Sequence, residues 1–488
     1  MNKTIKKNIS KAICAAMAAL ICSSCFAEEE PTTPPETVTT PETITVTTTA
    51  TTTAETTKPT ETTSRPTDTT TAEKITTSSE STTTAESTTT QQTTTETPTT
   101  TEAPDVPPDK PAVDHGIYTA FADFSTGLMK NVCAKDIAAG KNVMISPESV
   151  LMALGMTSEG ANGDTLAQMT KTMAGEADSQ TMNETLQAIY KKGAENGELI
   201  LNCANSVWAN QSLDMTVKDE FAENIKRDYG AEITVAPFNG DTINSINDWV
   251  KTNTNDMIPS IIKDLDPAAA MVLVNAVAFE AQWSDPFNDY AVHNDGVFTN
   301  SSGEKETCTM LSGSEYGYFN DGKAQAFRKL YKGGKYSFMG ILPNEDVSVS
   351  DYISELDGEG WYKLWDSRSS DEVIIKMPEF SSDYDAELTK SLIDMGMEKP
   401  FSDSADFSGM AEGTDGQLKI DSVLHKTHIE VDRYGTKAAA ATAVFMVGCA
   451  ADKPEPKYIA LDRPFIYAIV DNETGFPLFI GAVNTVNK

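Results

Sequence analysis

The sequence predicts an α+β fold behind a long leading segment that cannot fold. Three observations carry this. Residues 28–112 are dominated by Thr, Pro and Glu; Trp, Phe, Tyr, Met and Leu are spread through residues 113–488; and in that second part helical patterns come first and strand patterns later, with no βα alternation and no internal repeat.

Residues 1–27 have a basic start (Lys3, Lys6, Lys7, Lys11), an apolar run at 12–21 and small residues before Glu28. This is the pattern of a signal peptide. Its apolar run is well short of the ~20 residues that span a bilayer. Cleavage after Ala27 would release a secreted, extracellular protein. Ser23-Ser24-Cys25 also resembles a lipoprotein box, which would tether the chain to the cell surface by a lipid. Residues 28–112 contain no Leu, Phe or Trp, so they bury too little apolar surface to offset the entropy of ordering. They read as a disordered stalk, either a spacer or an inert linker. Residues 113–488 are long enough for one large core.

A formal charge of −34 repels phosphates and excludes nucleic acid or anionic lipid as a partner. Of seven cysteines, three fall in the signal; Cys133, Cys203, Cys308 and Cys449 show neither CxxC nor metal-ligand spacing. His115, His293, His425 and His428 give no zinc signature, and the strand pattern around His425 and His428 puts those two on opposite faces. No metal and no cofactor is expected.

In chain order, periodicity predicts helices at 117–138 and 149–156, the latter started by Ser146-Pro147-Glu148: a Ser cap, an early Pro and an acidic first turn. Further helices are predicted at 165–173 and 182–194, a strand at 205–208, then helices at 217–229 and 243–254. Residues 270–279 are apolar apart from Asn275 and predict a strand buried on both faces. Strands at 307–310, 336–342 and 373–378, a helix at 386–395, and strands at 418–432, 458–470 and 477–484 complete the pattern.

The functional signal is the stretch from Gly435 to Asp452, GTKAAAATAVFMVGCAAD. It is too apolar for a solvated linker and has no Pro, so each N–H from Thr436 onward is free to join a ladder. Counting by twos, Thr436, Ala438, Ala440, Thr442, Val444 and Met446 form a small or apolar face. The other face begins with Lys437, so the one charge falls on the side that can stay in solvent. The stretch can enter a sheet with one face buried. Its alanines equally permit a helix, and it could remain an exposed linker; spacing alone does not decide among the three.

Residues 113–488 resemble the serpin family in several long motifs that occur in the right order. Asn142-Val143-Met144-Ile145-Ser146-Pro147-Glu148-Ser149-Val150 is similar to the segment leading into the family's second helix. Asn275 with Phe279, Trp283, Pro286 and Phe287 resembles the motif on the third strand of its main sheet. The run from Phe401 to Gly409, His425-Lys426 with Glu430-Val431, and Gly435-Thr436 with its alanines resemble the approach to the hinge, and Pro464-Phe465-Ile466-Tyr467 with Pro477-Leu478-Phe479-Ile480-Gly481 the closing signature. The resemblance implies three β-sheets, eight or nine helices and an exposed reactive-centre loop.

It also implies a function: a monomeric inhibitor, not an enzyme, that traps a serine protease as a covalent acyl complex by inserting its cleaved loop into the main sheet. The loop hinge would be Gly435, Thr436, Ala438, Ala439, Ala440, Ala441 and Thr442. Ser146, Ser149, Asn275 and His425 would form a polar cluster beneath the opening of the sheet, with Trp283 at its top; cap and core roles for the same residues are compatible with this. Counting from the hinge places the reactive bond at Cys449-Ala450, with Val447, Gly448 and Ala451 as alternatives because the loop is about four residues longer than is common. All are small or modestly apolar, which favours elastase-like proteases. One departure stands out: most inhibitory members carry Glu two residues before the hinge glycine, where this chain has Arg433, so the usual ion pair at the loop base is in question. A non-inhibitory surface or binding protein of the same fold is the alternative function.

Overall fold

The computed structural model describes residues 115–194, 199–213, 215–413, 418–436 and 455–487. The expected signal segment, the stalk and the loop positions from Lys437 to Pro454 lie outside these residues. Among the described residues the helices are α1 (Ile117–Ala138), α2 (Pro147–Ser158), α3 (Gly163–Ala174), α4 (Ser179–Ala194), α5 (Asp219–Tyr229), α6 (Gly240–Asn253), α7 (Val349–Glu355), α8 (Gly358–Asp366) and α9 (Thr389–Asp394). The strands are β1 (Val143–Ile145), β2 (Leu199–Asn210), β3 (Thr216–Val217), β4 (Glu232–Ala236), β5 (Met271–Gln282), β6 (Val292–Thr299), β7 (Lys305–Asn320), β8 (Ala324–Leu330) and β9 (Tyr336–Pro343). They continue with β10 (Ser369–Pro378), β11 (Phe380–Glu387), β12 (Ala411–Glu412), β13 (Ser422–Val431), β14 (Gly435–Thr436), β15 (Lys457–Ala460), β16 (Phe465–Asp471) and β17 (Pro477–Val483).

These strands form three sheets. The main sheet runs β11-β13-β14-β5-β2-β4, with β13 also paired directly to β5. The second runs β1-β17-β16-β9-β8-β7-β10-β15, with β6 added to β7, and β12 with β3 makes the third. Main-sheet strand β5 explains its own sequence. On one face Met271 and Leu273, then Val277, Phe279 and Ala281, point into cores shared with the helices and the second sheet. On the other face Val272, Val274 and Ala276 pack under α6 against Trp208, Ile246 and Val250. Both faces are covered, so alternation is lost and residues 271–279 read as an apolar run broken only at Asn275. Helix α2 starts where its cap predicts, with Ser146 Oγ accepting the Ser149 N–H at 3.3 Å.

Three expectations needed correction. The pattern at 386–395 is not one helix: Ala386 and Glu387 end β11, and the helix occupies only Thr389–Asp394. Phe380, Ser382 and Tyr384 alternate into the core, and ladder pairing with β13 holds the chain extended as far as Glu387. Residues 458–470 split into β15 and β16 on either side of Pro464, which has no N–H for a ladder. Val217, expected to open a helix, lies with Thr216 in β3, and α5 starts only at Asp219. Strands β1, β4, β6, β8, β11 and β12 and helices α7 and α8 had no predicted counterpart. Both of those helices are short and start at side-chain caps, Ser348 and Asp357.

Candidate functional site

The main sheet is forked at one end. β5 and β13 run parallel and pair continuously from Val272 opposite Ser422 to Ala278 opposite His428. Beyond that they separate, and β14 lies between them, antiparallel to both: Thr436 is opposite Ala281 on one side and Val431 on the other. The two described hinge residues are thus already rungs of the sheet. Gly435 is required by this close approach, because a Cβ there would fall well inside contact distance of the Ala281 carbonyl oxygen and 2.8 Å from the Gln282 Cα. Ala438, Ala439, Ala440, Ala441 and Thr442, and Val447, Gly448, Cys449, Ala450 and Ala451, lie outside the described residues.

A turn and an aromatic cluster hold the fork. Asp432 accepts the N–H groups of Tyr434 (2.7 Å) and Gly435 (3.0 Å) on one carboxylate oxygen, closing the turn from β13 to β14. Trp283, 1% exposed, donates its indole N–H to the Asp432 carbonyl at 2.9 Å, and its backbone N–H to that of Tyr434. Its ring stacks on Tyr331 at 4.6 Å between centroids. The Tyr331 hydroxyl reaches Thr436 Oγ1 at 2.7 Å, both groups fully buried. Beside them the Lys329 ammonium pairs with Glu315 at 2.6 Å and faces the rings of Phe287 and Trp283. Arg433 has an acid partner after all: its guanidinium pairs with Asp289, and its N–H donates to Glu379. The cation of this pair is on the loop side.

Below the fork the four predicted polar residues meet in one hydrogen-bonded network. Asn275 is paired in register with His425 on β13 and with Asn205 on β2. The Ser146 N–H donates to His425 Nε2 at 3.1 Å, so the imidazole proton is on Nδ1, which donates to the Asn275 side-chain oxygen. The Asn275 amide group then donates to the Ser149 carbonyl (2.9 Å), the Ser149 hydroxyl and the Asn205 side-chain oxygen. Ser146 Oγ donates to the Leu478 carbonyl at 2.9 Å. Burial pushes the His425 pKa down to about 3, so the ring is neutral. The network ties α2, β2, β5, β13 and β17 together at the level where β5 and β13 pair directly. His428 lies on the opposite face, as its spacing predicts, and meets Asp383 at 2.7 Å. Among the described residues no cluster of three or more His, Cys, Asp or Glu could hold a metal, and no helix is long and apolar enough to cross a membrane.

Residues 119–486 match the family model for Serpin (serine protease inhibitor). The chain is a serpin. An uncharacterised serpin-like protein of Thermococcus kodakarensis is 30% identical over 379 residues, covering 76% of this chain and 85% of that one. Human leukocyte elastase inhibitor is 30% identical over 357 residues, covering 70% and 92%. The thermophilic serpin Tengpin in its native state superposes with a TM-score of 0.69 at 37% identity, covering 77% of this chain and 96% of that one. The three sheets and the helices are those of the serpin fold.

Four contributors to this serpin's site carried no sequence signal. Tyr331, Asn205, Asp289 and Lys329 reach the fork or the network only through pairing with distant segments.

Proposed function

We propose that this serpin inhibits serine proteases by suicide-substrate trapping. The observation that carries the reading is the fork, where Gly435 and Thr436 occupy the first rungs of a strand that would run antiparallel to both β5 and β13. The register of that strand is fixed by the rungs already made. Thr436 pairs with Ala281 and Val431, sums of 717 and 867, and antiparallel pairing keeps those sums constant. Thr442 would then fall between Asn275 and His425 (442 + 275 = 717; 442 + 425 = 867), and Phe445 between Val272 and Ser422. Insertion from Thr436 to Phe445 therefore replaces every direct β5–β13 pair, and parts the His425–Asn275 contact at its midpoint. Thr436 already points to the buried face, so Ala438, Ala440, Thr442 and Val444 follow it inward and Lys437 stays outside.

In the reaction the protease serine attacks the scissile carbonyl, the peptide C–N bond breaks, the new amine leaves with the proton, and an ester joins the two proteins. The freed strand then zips into the fork before water can cleave the ester. Cys449-Ala450 is the bond we assign, and its small flanking residues favour elastase-like proteases. The signal pattern at residues 1–27 supports action outside the cell, with the stalk as spacer.

Incubation of the full chain with pancreatic or neutrophil elastase tests this. A protease complex that survives denaturing electrophoresis is expected, with a C-terminal fragment whose mass begins at Ala450. Clean cleavage without a complex would leave a non-inhibitory binding protein of the same fold.

A further inference from the structure

We propose that Tyr331 sets the register of the inserting strand by reading the hydroxyl of Thr436. This rests on the trapping mechanism above and assigns a positioning residue within it. The Tyr331 backbone is bridged to Trp283, and its ring is held between the Trp283 stack and an edge contact with Phe279 at 5.1 Å. The phenol therefore has little freedom to follow a moving partner. Tyr331 is buried in the core it shares with Trp283 and Phe279, so the hydroxyl at 2.7 Å from Thr436 Oγ1 is satisfied where an unpaired one would be costly.

Each nearby slip of the strand fails at this one atom. A slip by one residue in either direction turns every side chain to the other face, and would bring Gly435 or the charged Lys437 to the phenol. A slip by two keeps the faces but offers Ala438, with no hydroxyl, or Tyr434, too large for the gap that Thr436 fills. Among residues 434 to 438 only Thr436 combines a small side chain with a hydroxyl. Trapping is a race between zipping and ester hydrolysis, and a strand that starts in the wrong register loses time. Tyr331 fixes the first rung before the protease arrives, so zipping proceeds from a nucleus already in register.

The test uses the full chain and four variants: Tyr331→Phe, Thr436→Val, Thr436→Ser, and Tyr331→Phe with Thr436→Val. Two quantities are read with elastase, the initial rate of loop cleavage and the number of inhibitor molecules consumed per protease trapped. Either single hydroxyl loss is expected to raise consumption about three- to tenfold, the factor one buried hydrogen bond carries, with cleavage rate unchanged. Thr436→Ser should behave as wild type, and the double variant no worse than the poorer single, because one bond is lost only once. Wild-type consumption in both single variants, or effects that multiply in the double, would overturn the assignment. Backbone hydrogen exchange over residues 431–436 of the uncleaved chain supplies a readout that needs no protease. Faster exchange in both single variants but not in Thr436→Ser supports the contact, and unchanged exchange refutes it. A wild-type chain that elastase cleaves without forming a complex would instead count against the trapping mechanism.

Discussion

Lowering the pH tests the buried network through a single titrating group. His425 is 1% exposed, and burial pushes its pKa down to about 3, against about 6.5 in an unfolded chain. Between those values the unfolded state binds a proton that the folded state refuses. Stability from this group is therefore fully present above about pH 6.5 and is lost as the pH falls toward 3. At pH 5 the loss is about RT ln(1 + 10^1.5), or ~2 kcal/mol, a factor of about thirty in the unfolding equilibrium. Buried Glu148 works in the opposite sense: its pKa is pushed up to about 8 by burial and by Asp471, so its contribution falls as the pH rises. Urea unfolding of wild type and His425→Gln at pH 7.5 and pH 5.0 separates the two, since Glu148 and the surface carboxylates are common to both proteins. Wild type is expected to lose ~2 kcal/mol more than the variant on acidification. Equal losses would mean that the imidazole is not held neutral, and would refute the proton placement derived for the network.

The fork and its surroundings lead to three further expectations. Gly435→Ala should reduce the fraction of elastase trapped about tenfold while the loop is still cut, because the methyl group meets the β5 backbone, which has no rotamer with which to yield. Denaturing electrophoresis reads both outcomes. Arg433→Glu should lower the unfolding temperature at low salt by placing like charges against Asp289 and Glu379, with most of the loss recovered at high salt. Combining it with Asp289→Arg should restore wild-type behaviour. Cys133 is fully buried and its thiol is pushed up to about 12, so it should stay unlabelled by a thiol reagent at pH 8 while half-buried Cys308 reacts; peptide mass spectrometry distinguishes them.

Much of this architecture was legible where local pattern and burial agree. Residues 270–279 read as a doubly buried strand because both faces are covered by apolar layers, and Ser146 marked the start of α2 because its cap is local. The residues of the polar network were visible only through family resemblance: Ser146, Asn275 and His425 are more than a hundred positions apart, and no local rule joins them. The pairing of Arg433 with Asp289 was missed for the same reason. Residues 386–395 misled because short helical and strand patterns overlap there, and the pairing of β11 with β13 decided between them. Tyr331 sits in an ordinary Lys-Leu-Tyr-Lys run and becomes special only when β14 lays Thr436 against it.

Trapping requires the cleaved loop to become a strand of the main sheet, and the thermal unfolding of the chain before and after a single cut in the loop tests that directly. With about ten residues joining two ladders at ~1 kcal/mol net per hydrogen bond, the cut chain is expected to unfold at a markedly higher temperature than the intact one. A cut chain that unfolds at the same or a lower temperature would show that the loop stays outside the sheet, and would contradict the mechanism.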